Sequence, residues 1–255
     1  MDPLLLDQAG QHALAKALGD TPLTVGPVDA LRRGLCRAWV VGGPGDFRAA
    51  VVQRRAVPAE PDAYGEPAAI WDILQRVGGW QCVEVDADTA RSLAEIMRGR
   101  REQKTWLYED IFHELRRPAT VCGHPHVRLL TRDDAPLLEA AEPPVRGAGF
   151  GSTRAMLQEG FAAAGLVEGK VVSIAHTSAR TGVHADIGVC TLEPFRRRGY
   201  ATAAASAVAR AVQAAGLVPV WSAGQSNAAS LRVAAKVGFE RIGKRVYVGL
   251  GSRKG

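Results

Sequence analysis

Long hydrophobic runs and closely spaced cysteines are what this sequence lacks. Its uncharged apolar runs are all shorter than the roughly 18 residues that cross a bilayer, which excludes a membrane-spanning helix. The four cysteines lie far apart among 255 residues, a pattern that disfavours a disulfide framework and predicts free thiols. Residues 1–7 place acids on both sides of three leucines and have no basic flank, unlike a secretory signal, so we expect a cytosolic protein.

The composition is that of an ordinary globular protein, with 47% hydrophobic and 23% charged residues. The length permits one large domain or two small ones. The net charge of +6 is unevenly distributed, because residues 1–125 carry 15 Lys or Arg against 17 Asp or Glu, whereas residues 126–255 carry 17 against 9. The basic second half predicts a polyanionic partner, either a nucleic acid or a phosphate-bearing small molecule.

A stretch that contains two prolines and a glycine, residues 116–125, predicts a domain boundary. Residues 1–120 are predicted to form an α/β domain with a hairpin, a helix that begins at Pro67, a strand, and a helix that ends near Gly99. Trp106–Leu115 is predicted to be a further helix. Residues 126–255 are predicted to form the second domain.

The second half predicts a mixed sheet flanked by helices, a fold of the α/β (α+β) class, with a parallel pair of strands near the middle of the sheet. The predicted strands span residues 127–130, 161–167, 171–177, 185–191, 218–222 and 239–250, and the two longer helices span 199–215 and 227–237. In the first half, a hairpin, helix, strand and helix follow in the same order. The first half is therefore either a degenerate copy of the second or an unrelated packing domain.

The strongest chemical signal is the turn between the strand that ends at Thr191 and the helix that begins at Gly199. Three consecutive arginines, Arg196, Arg197 and Arg198, precede that helix. The free N–H groups of a first helical turn, the positive end of the helix dipole and the guanidinium charges together predict a pyrophosphate site. The alternative is a solvated basic turn.

The motif Arg196-x-x-Gly199-x-Ala201 resembles the acyl-CoA signature of the GNAT superfamily of N-acyltransferases. Asn227-x-x-Ser230, followed by the segment 236–239, lies downstream at the expected distance and resembles the second signature of that family. The resemblance covers about residues 126–250 and implies a GNAT-like fold with acetyl-CoA as cosubstrate.

More narrowly, the segment Val189-x-Thr191-Leu192 and Trp221 resemble the branch that contains the zwittermicin-resistance acetyltransferases and the C-terminal domains of glycine N-acyltransferases. The family resemblance implies that the strand carried here by residues 189–191 pairs with pantetheine and that Asn227 hydrogen-bonds the same arm. The expected acetyl-CoA contacts are Val189, Cys190, Thr191, Arg196, Arg197, Arg198, Gly199, Tyr200, Ala201, Thr202, Asn227 and Ser230.

Transfer to an amine needs a group that removes a proton from the acceptor, and Asp186 is the nearest carboxylate in the strand before the turn. The alternative is a surface aspartate. Many GNAT enzymes carry a tyrosine that protonates the leaving thiolate, and here that position is Ala234. Ser230 lies one helical turn earlier on the same side, so the thiolate is expected to leave with help from Ser230 or from solvent.

Other motifs carry weaker signals. Cys122-x-His124-x-His126 has metal-ligand residue types but no apparent fourth ligand, so no metal site is predicted. The glycine-rich segment 147–151 is predicted to be a mobile loop over the acceptor site, with Phe150 packed under it or lining that site. His176 and His184 are predicted to be structural.

These observations predict an acyl-CoA-dependent N-acyltransferase that moves an acetyl group from acetyl-CoA to a primary amine of a small molecule. A protein N-terminal or lysine amine is the alternative acceptor, and a non-catalytic CoA-binding protein is the alternative function. Nucleic acid is not expected as a partner, because the basic residues cluster at one turn and at the C-terminus without interleaved aromatic residues. The first half, which lacks such a turn and has a net charge of −2, is predicted to help shape the acceptor site.

Overall fold

The structure, a computed structural model, describes residues 2–101, 103–147 and 149–253. The helices are α1 (Gln8–Leu18), α2 (Val25–Arg33), α3 (Pro67–Leu74), α4 (Ala87–Arg101), α5 (Ala135–Glu139), α6 (Thr153–Glu159), α7 (Tyr200–Ala214) and α8 (Ala228–Val237). The strands are β1 (Leu4–Leu5), β2 (Cys36–Gly43), β3 (Asp46–Arg54), β4 (Asp62–Gly65), β5 (Cys82–Asp86), β6 (Thr105–Glu114), β7 (Val127–Leu129), β8 (Ala162–Val167), β9 (Lys170–Arg180), β10 (His184–Thr191), β11 (Val218–Gly224) and β12 (Glu240–Leu250). None of the described helices is both long and apolar enough to cross a membrane.

The chain forms two compact units. The first unit comprises Met1–Gly19, Pro27–Ile111 and Gly243–Gly255, and the second comprises Asp20–Gly26 and Phe112–Ile242. These units divide the chain differently from the expected boundary near residue 120, because the last part of β12 pairs with β5 through Arg245–Gly249. The division into units depends on pairing between strands that are distant in the sequence, so the composition of a segment does not reveal it.

The first unit contains a mixed sheet in the order β1-β2-β3-β4-β5-β12-β6, with β4 and β5 parallel. Alternate residues of β3 face opposite sides, as strand geometry requires. Ala49 and Val51 join the apolar cluster that includes residues of α3 and α4, whereas Ala50 and Val52 join the cluster that includes residues of α1 and α2. Both faces of this part of the sheet are therefore covered by helices.

The second unit contains the strand order β11-β10-β9-β8-β7, in which only β10 and β11 are parallel among the pairs of neighbouring strands. Helices α7 and α8 contribute to an apolar cluster on one face, with Ala175 and Ile187 from the sheet. Helices α5 and α6 contribute to a cluster on the other face, with Ile174 and Ala164. The expected mixed sheet flanked by helices is confirmed.

Each half of the sequence has the same order of elements. Counting from β1, the first half runs strand, two helices, three strands, helix, strand, helix and strand, ending with β6. Counting from β7, the second half repeats this order through β12, apart from its short 3₁₀ turns. The repetition supports the interpretation of the first half as a copy of the second.

One predicted element is wrong. Residues 105–114 form the strand β6, and the helix predicted at Trp106–Leu115 is absent. Four consecutive residues, Asp110–His113, are buried, so the strand is covered on both faces at this point. A strand covered on both faces loses the two-residue alternation that would identify it in the sequence.

Candidate functional site

The parallel strands β10 and β11 separate part of the way along their length. They pair through His184–Asp186 on β10 and Val218–Val220 on β11. Among the described residues the ladder ends there, while β10 continues to Thr191 and β11 to Gly224. A strand edge that leaves its neighbour can hydrogen-bond an extended ligand in the way that it would bond another strand.

The open part of β10 is held firmly on its other side. It pairs with β9 up to Thr191, whose hydroxyl lies 2.7 Å from the hydroxyl of Ser173. Ser173 also donates to the carbonyl of Cys190. Val189 and Cys190 are half-buried and pack against the apolar clusters on opposite faces of the sheet. The expected contact residues 189–191 therefore lie on a rigid strand next to the divergence.

The turn after β10 is exposed and basic. The Nε of Arg196 donates to the carbonyl of Thr191 at 3.2 Å, so this side chain folds back over the end of the strand. The guanidinium carbon of Arg198 lies 5.5 Å from the centre of the Phe195 ring. Arg197 has a φ of +62° and Gly199 one of +91°. The backbone thus turns sharply into α7 directly after three exposed arginines. The first N–H groups of a helix and nearby positive charge both favour an anion.

Gly199 is the residue immediately before α7, and it is exposed. Its positive φ favours glycine, because a Cβ in this region of φ is strained. A Cβ there would lie 3.6 Å from Cδ2 of His124. The absence of a side chain therefore leaves the backbone open to close approach.

The residues that follow Gly199 divide into two kinds. The Tyr200 ring is buried and covers Gly165, where an added Cβ would lie only 2.7 Å from Cδ1 of the tyrosine. Its ring centre is also 4.3 Å from that of His124. The Tyr200 side chain therefore packs within the protein, and its backbone N–H is the part available to a ligand at the helix start. Ala201 and Thr202 are half-buried in the first turn.

The second expected signature lies at the start of α8. Asn227 is the N-cap, and its side-chain oxygen accepts the N–H of Ser230 at 3.1 Å. Ser230 in turn accepts a hydrogen bond from the indole N–H of Trp221 at 3.0 Å. Ala234 is fully buried in the cluster between α7 and α8. Ser230 still has its own hydroxyl proton to donate, although its oxygen is held by Trp221.

Asp186 lies at the last paired position before β10 and β11 diverge. It is half-buried and accepts a hydrogen bond from the Ser178 hydroxyl. Its neighbours in register are Ala179 on β9 and Val220 on β11, both buried in one small apolar cluster. A carboxylate thus lies on an otherwise apolar row of the sheet, beside the beginning of the open edge.

The glycine-rich loop lies against the same part of β9. A Cβ on Gly149 would be 2.8 Å from the carbonyl oxygen of Ser178. The loop backbone therefore touches β9 at the residue whose hydroxyl bonds Asp186. Position 148 lies outside the described residues. Phe150 has a φ of +56° and is buried in the cluster that contains Met156. Of its two expected roles, packing under the loop is confirmed.

His184 is structural, as expected. It is buried at the start of β10, and its Nδ1 lies 2.8 Å from a carboxylate oxygen of Asp20. Asp20 also accepts the Thr181 hydroxyl and the N–H of Val183. Although burial acts in the opposite direction, the hydrogen bonds from His184 and Thr181 lower the pKa of Asp20. This network fastens residues 20–26 to the second unit, and no local sequence signal indicated it.

The other histidines lie elsewhere. His176 is half-buried and pairs in register with Gly188, beside the open edge. His124 and His126 lie before β7, and the part of the chain that the structure describes has no group of three or more metal-ligating side chains. Sequence reasoning missed the approach of His124 to Gly199, because it joins distant segments. It also missed the bond from Ser178 to Asp186, because this depends on the register of the neighbouring strands β9 and β10.

A family model described as GNAT acetyltransferase matches residues 147–247, a span that contains the open edge, the arginine turn and α8. Among curated proteins, no sequence gives a significant match. Solved structures resemble the whole chain in fold, at sequence identities below 25%.

A GCN5-related N-acetyltransferase-like protein from Streptococcus suis 89/1591 has a TM-score of 0.71 at 19% identity, with 95% of this chain and 98% of that chain covered. A putative acetyltransferase of the GNAT family from Novosphingobium aromaticivorans DSM 12444 has a TM-score of 0.55 at 19% identity, with 92% and 100% covered. A tandem GNAT protein from the clavulanic acid biosynthesis pathway has a TM-score of 0.55 at 13% identity, with 100% and 99% covered. The chain therefore has the fold of solved GNAT proteins throughout, and its residues 147–247 match the GNAT acetyltransferase family.

Proposed function

We propose that the protein is an acyl-CoA-dependent N-acyltransferase that moves an acetyl group from acetyl-CoA to a primary amine of a small molecule. The observation that carries this proposal is the divergence of β10 from β11 at Asp186, which leads directly into the arginine turn before Gly199. An open strand edge suits the amide-bearing pantetheine arm, and a basic turn at a helix start suits a diphosphate.

In the proposed complex, the diphosphate lies at the start of α7 beside the arginine turn. The pantetheine arm runs along residues 189–191, with the Asn227 side chain within reach of its amides. Acetyl-CoA supplies an activated acyl thioester, and a backbone N–H on the open edge stabilises the negative charge that develops on the carbonyl oxygen. The residues of β10 therefore both align the arm and polarise the acyl group.

Asp186 is the proposed contact for the acceptor amine. Its carboxylate attracts an ammonium group and takes one proton from it, directly or through a water molecule. The freed amine then attacks the thioester carbon, and as the C–S bond breaks the nitrogen gives up its second proton to solvent. The thiolate takes a proton from solvent directly or from Ser230, whose hydroxyl solvent then reprotonates. Ser178 donates to Asp186 and so orients the carboxylate toward one position.

We further propose that the chain belongs with the zwittermicin-resistance acetyltransferases and the C-terminal domains of glycine N-acyltransferases. The support is the approach to the turn, Val189-x-Thr191-Leu192, together with Trp221 at the next strand. In the structure Trp221 is buried and bonds Ser230, so this residue links β11 to α8 next to the proposed thiol position.

Calorimetry with acetyl-CoA, followed by a thiol-release assay with a panel of small amines and of peptides, tests the proposal. We expect binding to the full chain and turnover with a small amine. Asp186→Asn should lower kcat about 100-fold with little change in the Kd of acetyl-CoA, because it removes an acid–base group and keeps the shape. Ser230→Ala, the matched control near the leaving group, should lower kcat less than about tenfold, since solvent can also protonate the thiolate.

Each alternative has its own outcome. Turnover with peptides only would assign a protein amine as acceptor. Tight acetyl-CoA binding without turnover of any amine would favour a non-catalytic CoA-binding protein. Absence of acetyl-CoA binding by the folded chain would overturn the proposed function altogether.

A further inference from the structure

One histidine outside the expected site lies against the arginine turn. The segment before β7 brings the His124 ring over the start of α7, with its centre 4.3 Å from that of Tyr200. Its Cδ2 would be 3.6 Å from a Cβ on Gly199. His124 is half-buried, so one side of the ring packs on the protein while part of it stays accessible. The side chain therefore borders the exposed backbone of the turn.

A hydrogen bond fixes which ring nitrogen of His124 carries the proton. The Nδ1 accepts the backbone N–H of His126 at 3.2 Å. A neutral imidazole that accepts at Nδ1 carries its hydrogen on Nε2, which then acts as a donor. Nε2 is bonded to Cδ2, the atom that faces Gly199. The ring therefore presents an N–H along the edge next to the turn.

The surroundings of that N–H favour an anion. The first N–H groups of α7, a helix of 15 residues, lack partners within the helix. Arg196, Arg197 and Arg198 are exposed in the same turn. The Nε2–H of His124 adds a further hydrogen-bond donor beside this turn. Packing on Tyr200 alone does not require a donor, because a phenylalanine would fill the same space.

We propose that His124 is a further diphosphate-binding residue, whose Nε2–H donates to a phosphate oxygen of acyl-CoA at the start of α7. This inference rests on the proposed function. It adds a contact from outside both sequence signatures and from outside the span 147–247 that matches the family model. It also gives a role to His124, which the sequence left without one.

The test compares acetyl-CoA, acetyl-dephospho-CoA and acetyl-pantetheine as ligands of the full-length protein. His124→Phe keeps a ring against Tyr200 and removes the donor. We expect the Kd of acetyl-CoA to rise about tenfold or more, because a hydrogen bond to a charged group is lost. The affinity for acetyl-dephospho-CoA, which keeps the diphosphate, should fall by the same factor. The affinity for acetyl-pantetheine should fall less than about twofold.

Two further variants sharpen the test. His124→Gln, whose amide nitrogen can occupy the place of Nε2, should recover part of the lost affinity. His126→Ala is the matched control: its ring is exposed, 5.7 Å from His124, and its backbone N–H remains. It should bind acetyl-CoA as the wild type does. Melting temperatures of all variants report whether they fold.

Three results would overturn the assignment of His124. The first is an unchanged Kd of acetyl-CoA in a folded His124→Phe variant. The second is an equal loss of affinity for acetyl-pantetheine, and the third is an unchanged affinity for acetyl-dephospho-CoA. Failure of the proposed function looks different, because the wild-type protein itself would then bind none of the three ligands.

Discussion

Each unit of the protein contains one parallel pair of strands that diverges, and the two pairs end differently. In the second unit β10 and β11 separate after Asp186 and Val220, and the edge of β10 continues toward the arginine turn. In the first unit, β4 and β5 pair in register at a single position among the described residues, Asp62 with Glu84. There an arginine side chain, from β12, occupies the divergence.

That residue is Arg245, whose side chain is 1% exposed. Its Nη2 donates to the carbonyls of Ala63 on β4 and Glu84 on β5, each at 3.0 Å. Its Nη1 donates to a carboxylate oxygen of Asp86 at 2.8 Å, and its guanidinium carbon lies 4.4 Å from the centre of the Tyr64 ring. The guanidinium thus bridges the two strands where they separate.

The turns that follow the two pairs also differ. In the second unit the turn is basic and ends at Gly199. In the first unit β4 leads through Gly65 and Glu66 into α3, and Glu66, the N-cap, pairs with Arg48 at 2.8 Å. A carboxylate at a helix start is favourable to the helix and repels a phosphate. A few side chains therefore decide whether the same order of elements offers a candidate cofactor site.

The largest expected effect concerns Arg245. Arg245→Met removes the bridge and leaves the carbonyls of Ala63 and Glu84 and the carboxylate of Asp86 without their charged donor, so we expect a loss of about 3–5 kcal/mol in the free energy of unfolding. Urea denaturation measures it. The neighbouring residue Lys244 forms a half-exposed pair with Glu109. Lys244→Met should therefore lower the free energy of unfolding by less than about 1 kcal/mol. Equal stabilities of the two variants would show that Arg245 does not bridge the strands.

The next effect concerns the open site. Gly199→Val places a branched side chain at a φ of +91° and at the approach to the backbone, so we expect acetyl-CoA affinity to fall about 100-fold or more. Calorimetry on the wild type should give one acetyl-CoA per chain. Glu66→Gln, at the corresponding turn of the first unit, should leave the affinity unchanged. Two acetyl-CoA molecules per chain, or undiminished acetyl-CoA binding by Gly199→Val, would contradict the idea that the second unit alone offers the site.

The smallest expected effect is the pH dependence of stability that comes from Glu84, where β4 and β5 pair. Burial raises the pKa of Glu84 to about 8, against the attraction of Arg245. Because this folded-state value lies above the ordinary value of 4.5, the folded protein holds a proton that the unfolded chain releases. The resulting stabilisation is fully present below about pH 4.5 and is lost as the pH rises toward 8.

We therefore expect wild-type stability to fall by on the order of 2 kcal/mol between pH 5 and 8 relative to Glu84→Gln, measured by urea denaturation at each pH. The exposed Glu66→Gln should keep the wild-type slope in this range. If Glu84→Gln and the wild type showed the same pH dependence, Glu84 would be ionised in the folded protein at pH 7, and Arg245 would dominate over burial.

Local signals predicted much of the second half from its sequence. Ser152 caps α6 by accepting the N–H of Ala155, and Asn227 caps α8; both residue types favour the N-cap position. Pro67 opens α3 after Glu66. The arginine turn stands where a strand ends and a helix begins. These features depend on contacts within a few residues, which the sequence displays directly.

Features that join distant segments were not predictable in this way. The helix predicted at Trp106–Leu115 is a strand because neighbouring structure covers both of its faces. The short strand β4 and the helices α1 and α2 were not among the predicted elements. Asp20 reaches His184 across 164 positions, and Arg245 reaches Asp86 across 159. No spacing rule connects residues so far apart.

The sequence by itself determined the chemistry available at the candidate site: three arginines, a glycine that permits a positive φ, a capping asparagine and an aspartate in the strand before them. Those properties belong to residue types and short spacings, so they need no knowledge of the fold. Tertiary structure alone decided where β10 and β11 separate, that Ser178 bonds Asp186, and that His124 borders Gly199. It also decided that Arg245 closes the corresponding pair in the first unit, because only the folded sheet brings β12 beside β5.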